Sequence, residues 1–192
     1  MNEIIRKRID ALIPLLKDAD PDVCRTVAHA IEHLEVAGDI TDILQSLKSG
    51  TMGARISAIY ALGEIGGEKA IPPLIYCAER PEDDIRSAAV EMLGRLAEPS
   101  TLPVLLKSLN DRNTAIQARA ITALSNFPPT ATLCDHLRPF LKANDGDIEA
   151  EAALAMAKLR DLQSTAGIIS LLSSSHSSTR KAAATALSLL PI

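Results

Sequence analysis

His29-Ala30-Ile31-Glu32-His33 spells H-x-x-E-H, a pattern in which two imidazoles one helical turn apart hold zinc and the carboxylate activates water. That chemistry needs a third ligand nearby, and no residue pattern in the chain supplies one. Cys24, Cys77 and Cys134 lie 53 and 57 residues apart, so they form neither a C-x-x-C metal or redox motif nor an even disulfide framework. There is no Gly-rich phosphate loop and no catalytic triad order. The residues able to do covalent or metal chemistry are sparse, and the order in this sequence lies in the apolar residues between them.

Three segments, ARISAIYALGEIG, DIRSAAVEMLGRLA and STRKAAATALSLL, place a basic residue ahead of small or apolar residues three, six, seven and ten positions later. Arg55 leads to Ala58, Ala61, Leu62 and Ile65; Arg86 leads to Ala89, Met92, Leu93 and Leu96; Arg180 leads to Ala183, Ala186, Leu187 and Leu190. Cys24, Gln117 and Glu149 head three further copies, so the anchors 24, 55, 86, 117, 149 and 180 are spaced 31, 31, 31, 32 and 31 residues apart. A second apolar stripe precedes each anchor by fifteen, twelve, eleven and eight residues, as in Ile9, Leu12, Ile13 and Leu16, or Leu102, Leu105, Leu106 and Leu109. Spacings of three, one and three trace one helical face. The stripe is interrupted at Arg138 and at Thr165.

Turn residues fall where this frame needs them. Asp20-Pro21, Ser49-Gly50-Thr51, Pro81-Glu82-Asp83, Asn110-Asp111, Asn144-Asp145-Gly146 and Ser173 to Ser178 divide the two helices of each hairpin. Ala37-Gly38-Asp39, Gly66-Gly67, Glu98-Pro99-Ser100, Pro128-Pro129 and Gln163-Ser164 divide one hairpin from the next, the extra residue of the 32 spacing falling near Pro128-Pro129. Thr132 with Asp135 reads as a capping box. The expectation is an all-α solenoid of six helical hairpins in one domain over 1–192, with repeats at about 3–36, 37–66, 67–97, 98–128, 129–161 and 162–192. A lone hairpin cannot bury its apolar faces, so neighbours must stack.

Composition agrees. Hydrophobic residues make up 47% of 192 and aromatics 2%, so the core is built of Ala, Leu, Ile and Val. Residues 1–96 carry 11 Lys or Arg against 16 Asp or Glu, and residues 97–192 carry 9 against 8, which is no basic surface for nucleic acid. Without Trp there is little platform for stacking bases. Charges at Glu3, Asp10 and Lys17 interrupt any signal-peptide core, and no stretch approaches 18 uncharged apolar residues, so the chain reads as a soluble cytoplasmic protein.

The hydrophobic-Arg-x-x-Ala-x-x-Ala-Leu-Gly-x-hydrophobic runs, above all RISAIYALGEI, resemble the HEAT repeat family, especially the short HEAT-like type of phycobilin lyase subunits, over residues of about 3 to 190. The resemblance implies a right-handed α-α superhelix with first helices outside and second helices on the concave side. It implies protein-protein interaction scaffolding without catalysis, and leaves open a phycobilin lyase-like or chaperone-like subunit, or a HEAT-like DNA-lesion-binding protein. It implies no cofactor. Deoxyhypusine hydroxylase has a similar architecture with repeated His-Glu dipeptides, but none of His29, His33, His136 and His176 is followed by Glu. The family often pairs a turn Asp with the Arg that opens the second helix. Here Asp stands six residues before the anchor only at Asp18 and Asp111, so the ladder is expected to be incomplete, with Asp18 linked to Arg55.

Positions one, five, eight and nine after each anchor lie opposite the core of the second helix. They project Arg25, His29, Glu32 and His33, then Tyr60 and Glu64, Glu91 and Arg95, Thr122 and Asn126, and Lys158. This ridge is the expected binding surface for a protein partner, with Tyr60 as an amphipathic anchor and the charges setting specificity. On this frame the H-x-x-E-H letters are a solvated helix face. Cys24 and Cys134 read as small buried residues, and Gly63 and Gly94 as keeping the concave face open or allowing helix packing. The last helix, TRKAAATALSLLPI, has little polar covering and is a surface for self-association or for a further domain.

Overall fold

The computed structural model describes residues 3–191; the side chains of Val36, Ala37 and Asp39 lie outside the described residues. The described residues form eleven α-helices and four short 3-10 segments, with no strand. They pack as two compact units, Met1–Pro73 and Leu74–Ile192.

The first unit holds α1 (Glu3–Leu12), a 3-10 segment (Ile13–Lys17), α2 (Pro21–Ser49), α3 (Met52–Ile65) and the start of α4 (Gly67–Ala78). Asp20 caps α2 by accepting from the Asp22 N–H at 2.8 Å, with Pro21 at the first helical position, where its missing N–H costs nothing. Thr51 caps α3 through the Ala54 N–H. Two expectations fail here. The turn at Ala37-Gly38-Asp39 does not form, and α2 runs through it for 29 residues. A single Gly costs a helix only about 1 kcal/mol, and no Pro follows to stop it. Ile13 and Leu16, expected on a buried face, are 50% and 42% exposed; Leu44, at the position equivalent to Ile13 on the regular helix α2, is 38% exposed as well.

The second unit repeats cleanly. After the end of α4 come α5 (Asp83–Leu96), α6 (Leu102–Ser108), α7 (Thr114–Leu124), α8 (Ala131–Leu137), α9 (Gly146–Lys158), α10 (Thr165–Leu171) and α11 (Ser177–Leu189). Helices α6, α8 and α10 pair with α7, α9 and α11, and α5, α7, α9 and α11 pack each on the next. The sequence frame predicts this core closely: Ala89, Ala120, Ala152 and Ala183, three after their anchors, are all fully buried, as are Leu93, Leu124 and Met156. Methyl-sized contacts let the axes approach closely. Pro128 and Pro129 lie exposed between α7 and α8. The cap of α8 is Thr130, which accepts from the Leu133 N–H, and not Thr132; Asp135 turns instead to Arg138.

The turn charges form a ladder link that runs opposite to the expected direction. Arg86 reaches forward to the turn of the following hairpin, donating from Nε to Asp111 Oδ2 at 2.8 Å and from Nη2 to Asp111 Oδ1 at 2.9 Å. Its remaining N–H groups go to the Arg80 and Pro81 carbonyls and to Asp83. Asp18 does not meet Arg55; its carboxylate accepts from the Asp20 N–H and pairs with no basic group among the described residues. Arg138, the departure in the fifth stripe, reaches Asp161 through the same two-pronged geometry, at 2.7 and 2.9 Å.

Hydrogen bonds from Asn113, Arg112 and Arg86 hold the Asp83 carboxyl at about 2. Arg86 keeps Asp111, and Arg138 keeps Asp161, below the usual carboxylate range. A carboxyl with a lowered folded pKa contributes its stability fully above its unfolded value of about 3.9, and loses it as pH falls through the folded value. The urea midpoint should therefore decline between about pH 4 and about pH 2, and Asp83→Asn should make that decline shallower. A midpoint whose pH dependence is the same in both proteins would show that this cluster does not govern acid stability.

Candidate functional site

The second helices of the second unit present an open groove of ≈ 440 Å³. Its rim is Glu91 and Arg95 of α5, Arg119 and Thr122 of α7, Asn126 just beyond the end of α7, and Glu151 of α9; Ala115, Ala118 and Ala123 also line it. Of these alanines, Ala123 is a buried packing position six after its anchor, whereas Ala115 and Ala118 lie off the packed face.

Hydrogen bonds tie this rim across the helices. Arg119 of α7 pairs with Glu91 of α5. Thr122 Oγ1 donates to Glu151 Oε2 of α9 at 2.7 Å. Asn126 Nδ2 donates to the Gly94 carbonyl of α5 at 2.8 Å, while its Oδ1 accepts from Lys158 Nζ of α9. Polar groups held by their neighbours lose less freedom when a ligand arrives. Acids and bases balance around the groove, so it does not select for phosphates; it offers donors and acceptors to a segment of mixed charge.

Of the ridge expected from the sequence, Glu91, Arg95, Thr122 and Asn126 line this groove and Lys158 is joined to it through Asn126. The other six, Arg25, His29, Glu32, His33, Tyr60 and Glu64, belong to the first unit. Arg25 pairs with Asp22 at 3.0 Å on α2. His29 and His33 are exposed on the same helix, with His29 Nδ1 3.8 Å from Glu32 Oε2. No group of three metal-holding side chains occurs among the described residues. Tyr60, 38% exposed, and Glu64 lie on α3.

Arg119 and Glu151 escaped the ridge, although both stand two residues after their anchors, only about 20° around the helix from the ninth position. The helical wheel held that signal. Tyr76, 60% exposed on α4, was also missed; it accepts from Arg80 Nη1 at 2.8 Å and lies 5.2 Å beneath that guanidinium. Gly94 does not open the concave face. A Cβ there would sit 2.3 Å from Ala123 Cβ, so this glycine serves the α5–α7 contact.

Cys77 and Cys134 are buried, and burial raises the Cys134 thiol pKa. Cys24 is half-buried, donating to the Asp18 carbonyl at 3.3 Å. Among the described residues no helix is long and apolar enough to cross a membrane.

Comparison with known proteins gives similarity of two kinds. Phycocyanobilin lyase subunit alpha of Nostoc sp. (strain PCC 7120) is 36% identical over 80 residues, 42% of this chain and 27% of that protein. The subunit of the same name from Synechococcus elongatus is 35% identical over 79 residues, 41% of this chain and 29% of that protein. The chain thus spans less than a third of the length of these curated relatives. Among solved structures, the complex of CpcE and CpcF of phycocyanin lyase from Nostoc sp. PCC7120 superposes with a TM-score of 0.66 at 17% identity, covering 79% of this chain and 99% of that one. A designed armadillo repeat protein in complex with the peptide (KR)4 superposes with a TM-score of 0.56 at 17% identity, covering 99% of this chain and 100% of that one. At such identities the structures speak for the fold alone. The family model for HEAT repeats matches residues 9–91 and 72–157, and with small residues recurring in register through the stacked helices of the second unit, this chain belongs to the HEAT repeat family.

Proposed function

We propose that this chain is a protein-interaction scaffold, without catalysis of its own, whose α5–α7–α9 groove takes an extended segment of a protein partner. The observation that carries this reading is the groove itself, lined by Ala115, Ala118 and Ala123 together with Glu91, Arg95, Arg119, Thr122, Asn126 and Glu151. Small lining residues admit a main chain closely, and the acidic, basic and amide groups beside them can meet both its amides and its charged side chains. Tyr60, Glu64, Arg25, His29 and His33 of the first unit are assigned to the same task, Tyr60 as an amphipathic anchor. All six repeats set out above would then serve one scaffold, and three cysteines that form no disulfide with one another fit a reducing, cytoplasmic setting. The neighbours described above include a two-protein complex and a peptide complex, which supports protein partners as the ligand class.

The test begins with affinity capture from the native host and identification of what is retained. Combining Tyr60→Ala with Arg95→Ala should weaken the captured partner roughly ten- to hundredfold, the loss expected for one or two contacts of hot-spot size. The far-ultraviolet circular dichroism should not change. Unaltered affinity in the double variant would take these residues out of the binding site.

The similarity to phycocyanobilin lyase subunits favours a second reading, a lyase-like subunit. Visible pigment that stays with the protein on gel filtration after mixing with phycocyanobilin would support it, and a colourless protein peak would favour the scaffold.

A further inference from the structure

The Arg86–Asp111 link has an unfilled half at each end of the chain. Asp111 is set by three local bonds in its turn: Oδ1 accepts from the Asn113 N–H at 2.9 Å, its carbonyl accepts from Gln117 Nε2 at 2.6 Å, and Asn113 caps the next helix at 3.0 Å. The first hairpin rebuilds this turn around Asp18. Its Oδ1 accepts from the Asp20 N–H at 2.9 Å, its carbonyl accepts from Cys24 Sγ at 3.3 Å, and Asp20 caps the next helix at 2.8 Å. Every bond joins equivalent positions. What differs is that Asp111 is held by an arginine and Asp18 is exposed without one among the described residues.

The complementary half stands on α11. Arg86 aims its fork at Asp111 because Nη1 is anchored on the carbonyls six and five residues before it, at 2.9 and 2.8 Å. Arg180 anchors its Nη1 on the carbonyls of Ser174 and Ser175, the same two positions, at 2.7 and 3.0 Å. Its Nε and Nη2 edge meets no carboxylate among the described residues. The same hairpin exposes apolar surface that its equivalents bury: Leu172 is 41% exposed, against 5% for Leu109 and 4% for Leu141, each eight residues before its anchor. At the other end, Leu15 and Leu16 beside Asp18 are each 42% exposed.

We propose that copies of this chain associate head to tail, the Arg180 fork of one copy closing on the Asp18 carboxylate of the next and repeating between molecules the Arg86–Asp111 link made within one. The occupant of the α10–α11 end is thus a second copy, chosen by charge complementarity and by a turn already shaped to receive the fork. A bidentate guanidinium-carboxylate pair supplies geometry as well as attraction, and the apolar residues on both sides supply area. The two patches are different, so the contact is heterologous and association continues past a dimer or closes a ring. Each end is exposed, so salt screens the pairing.

Sedimentation velocity on the full chain tests this, with wild type, Asp18→Ala, Arg180→Ala and an equimolar mixture of the two variants, from roughly 10 μM to 1 mM, where weak interfaces are populated. Wild type should shift to species larger than a dimer with rising concentration, and less so in high salt. Each variant alone should associate at least tenfold more weakly. The mixture should stop at a one-to-one dimer, because each variant brings one intact end. Wild type remaining monomeric, either variant associating like wild type, or a mixture that stays monomeric would each overturn the proposal. Unchanged circular dichroism of the variants excludes unfolding as the cause.

Discussion

Arg86→Ala should destabilise the protein by about 3–5 kcal/mol, the cost of breaking a buried ion pair by removing one partner. The Arg86 side chain is 8% exposed and that of Asp111 11%. All five N–H donors of the guanidinium are used: two on Asp111, two on the carbonyls of Arg80 and Pro81, one on Asp83. Alanine would leave the Asp111 carboxylate and the Arg80 carbonyl without this partner in a place water reaches poorly, while the Pro81 carbonyl would keep its bond from Arg112 Nη2. Lysine keeps the charge but has neither the fork nor five donors, so Arg86→Lys should recover only part of the loss. Urea unfolding monitored by circular dichroism measures both. The double variant Arg86→Met with Asp111→Leu removes charge on both sides and should be markedly more stable than Arg86→Ala. If Arg86→Ala cost less than about 1 kcal/mol, the pair would rank with solvated surface salt bridges.

The periodicity of the chain was legible in its sequence because the fold depends on it directly: an alanine three residues after an anchor must be buried wherever two second helices touch. That held at Ala89, Ala120, Ala152 and Ala183. It failed where the consequence of a residue is set by its neighbours in space. Asp111 and Arg86 were both visible, but a repeat pattern carries no sign telling whether a turn faces the hairpin before it or after it. Arg138 appeared only as an interruption, since its partner Asp161 lies 23 residues away on a different part of the repeat. The break expected at residues 37–39 came from weighing one glycine too heavily against the helix formers around it. In the groove, the ridge is read from the wheel at four positions per repeat, and Arg119 and Glu151, charges of the same inner helices, stand on the same arc at a fifth.

Gly94→Ala sets two magnitudes against each other. In an exposed helix the change would stabilise by about 1 kcal/mol, because alanine loses less backbone entropy and is the better helix former. Here the added Cβ would lie 2.3 Å from Ala123 Cβ and 2.6 Å from Ala123 Cα. The second of these is backbone, so relief requires α5 and α7 to separate, and overpacking of this kind costs about 1–3 kcal/mol and at times more. The clash should win, giving a net loss of about 1–2 kcal/mol in thermal or urea unfolding. Adding Ala123→Gly removes the closer contact but not the one with Cα, so the double variant should recover part of the stability and not all of it. The groove gives an independent readout. Separating the helices lengthens the bond from Asn126 Nδ2 to the Gly94 carbonyl and draws Arg119 away from Glu91, so Gly94→Ala should weaken a groove-bound partner at temperatures where the protein remains folded. Arg86→Ala acts at the opposite end of α5 and should lower stability with little effect on that affinity below its own transition. A Gly94→Ala protein at least as stable as wild type would mean that α5 and α7 have room at this crossing, and that the close approach assigned to them is not what sets the shape of the groove.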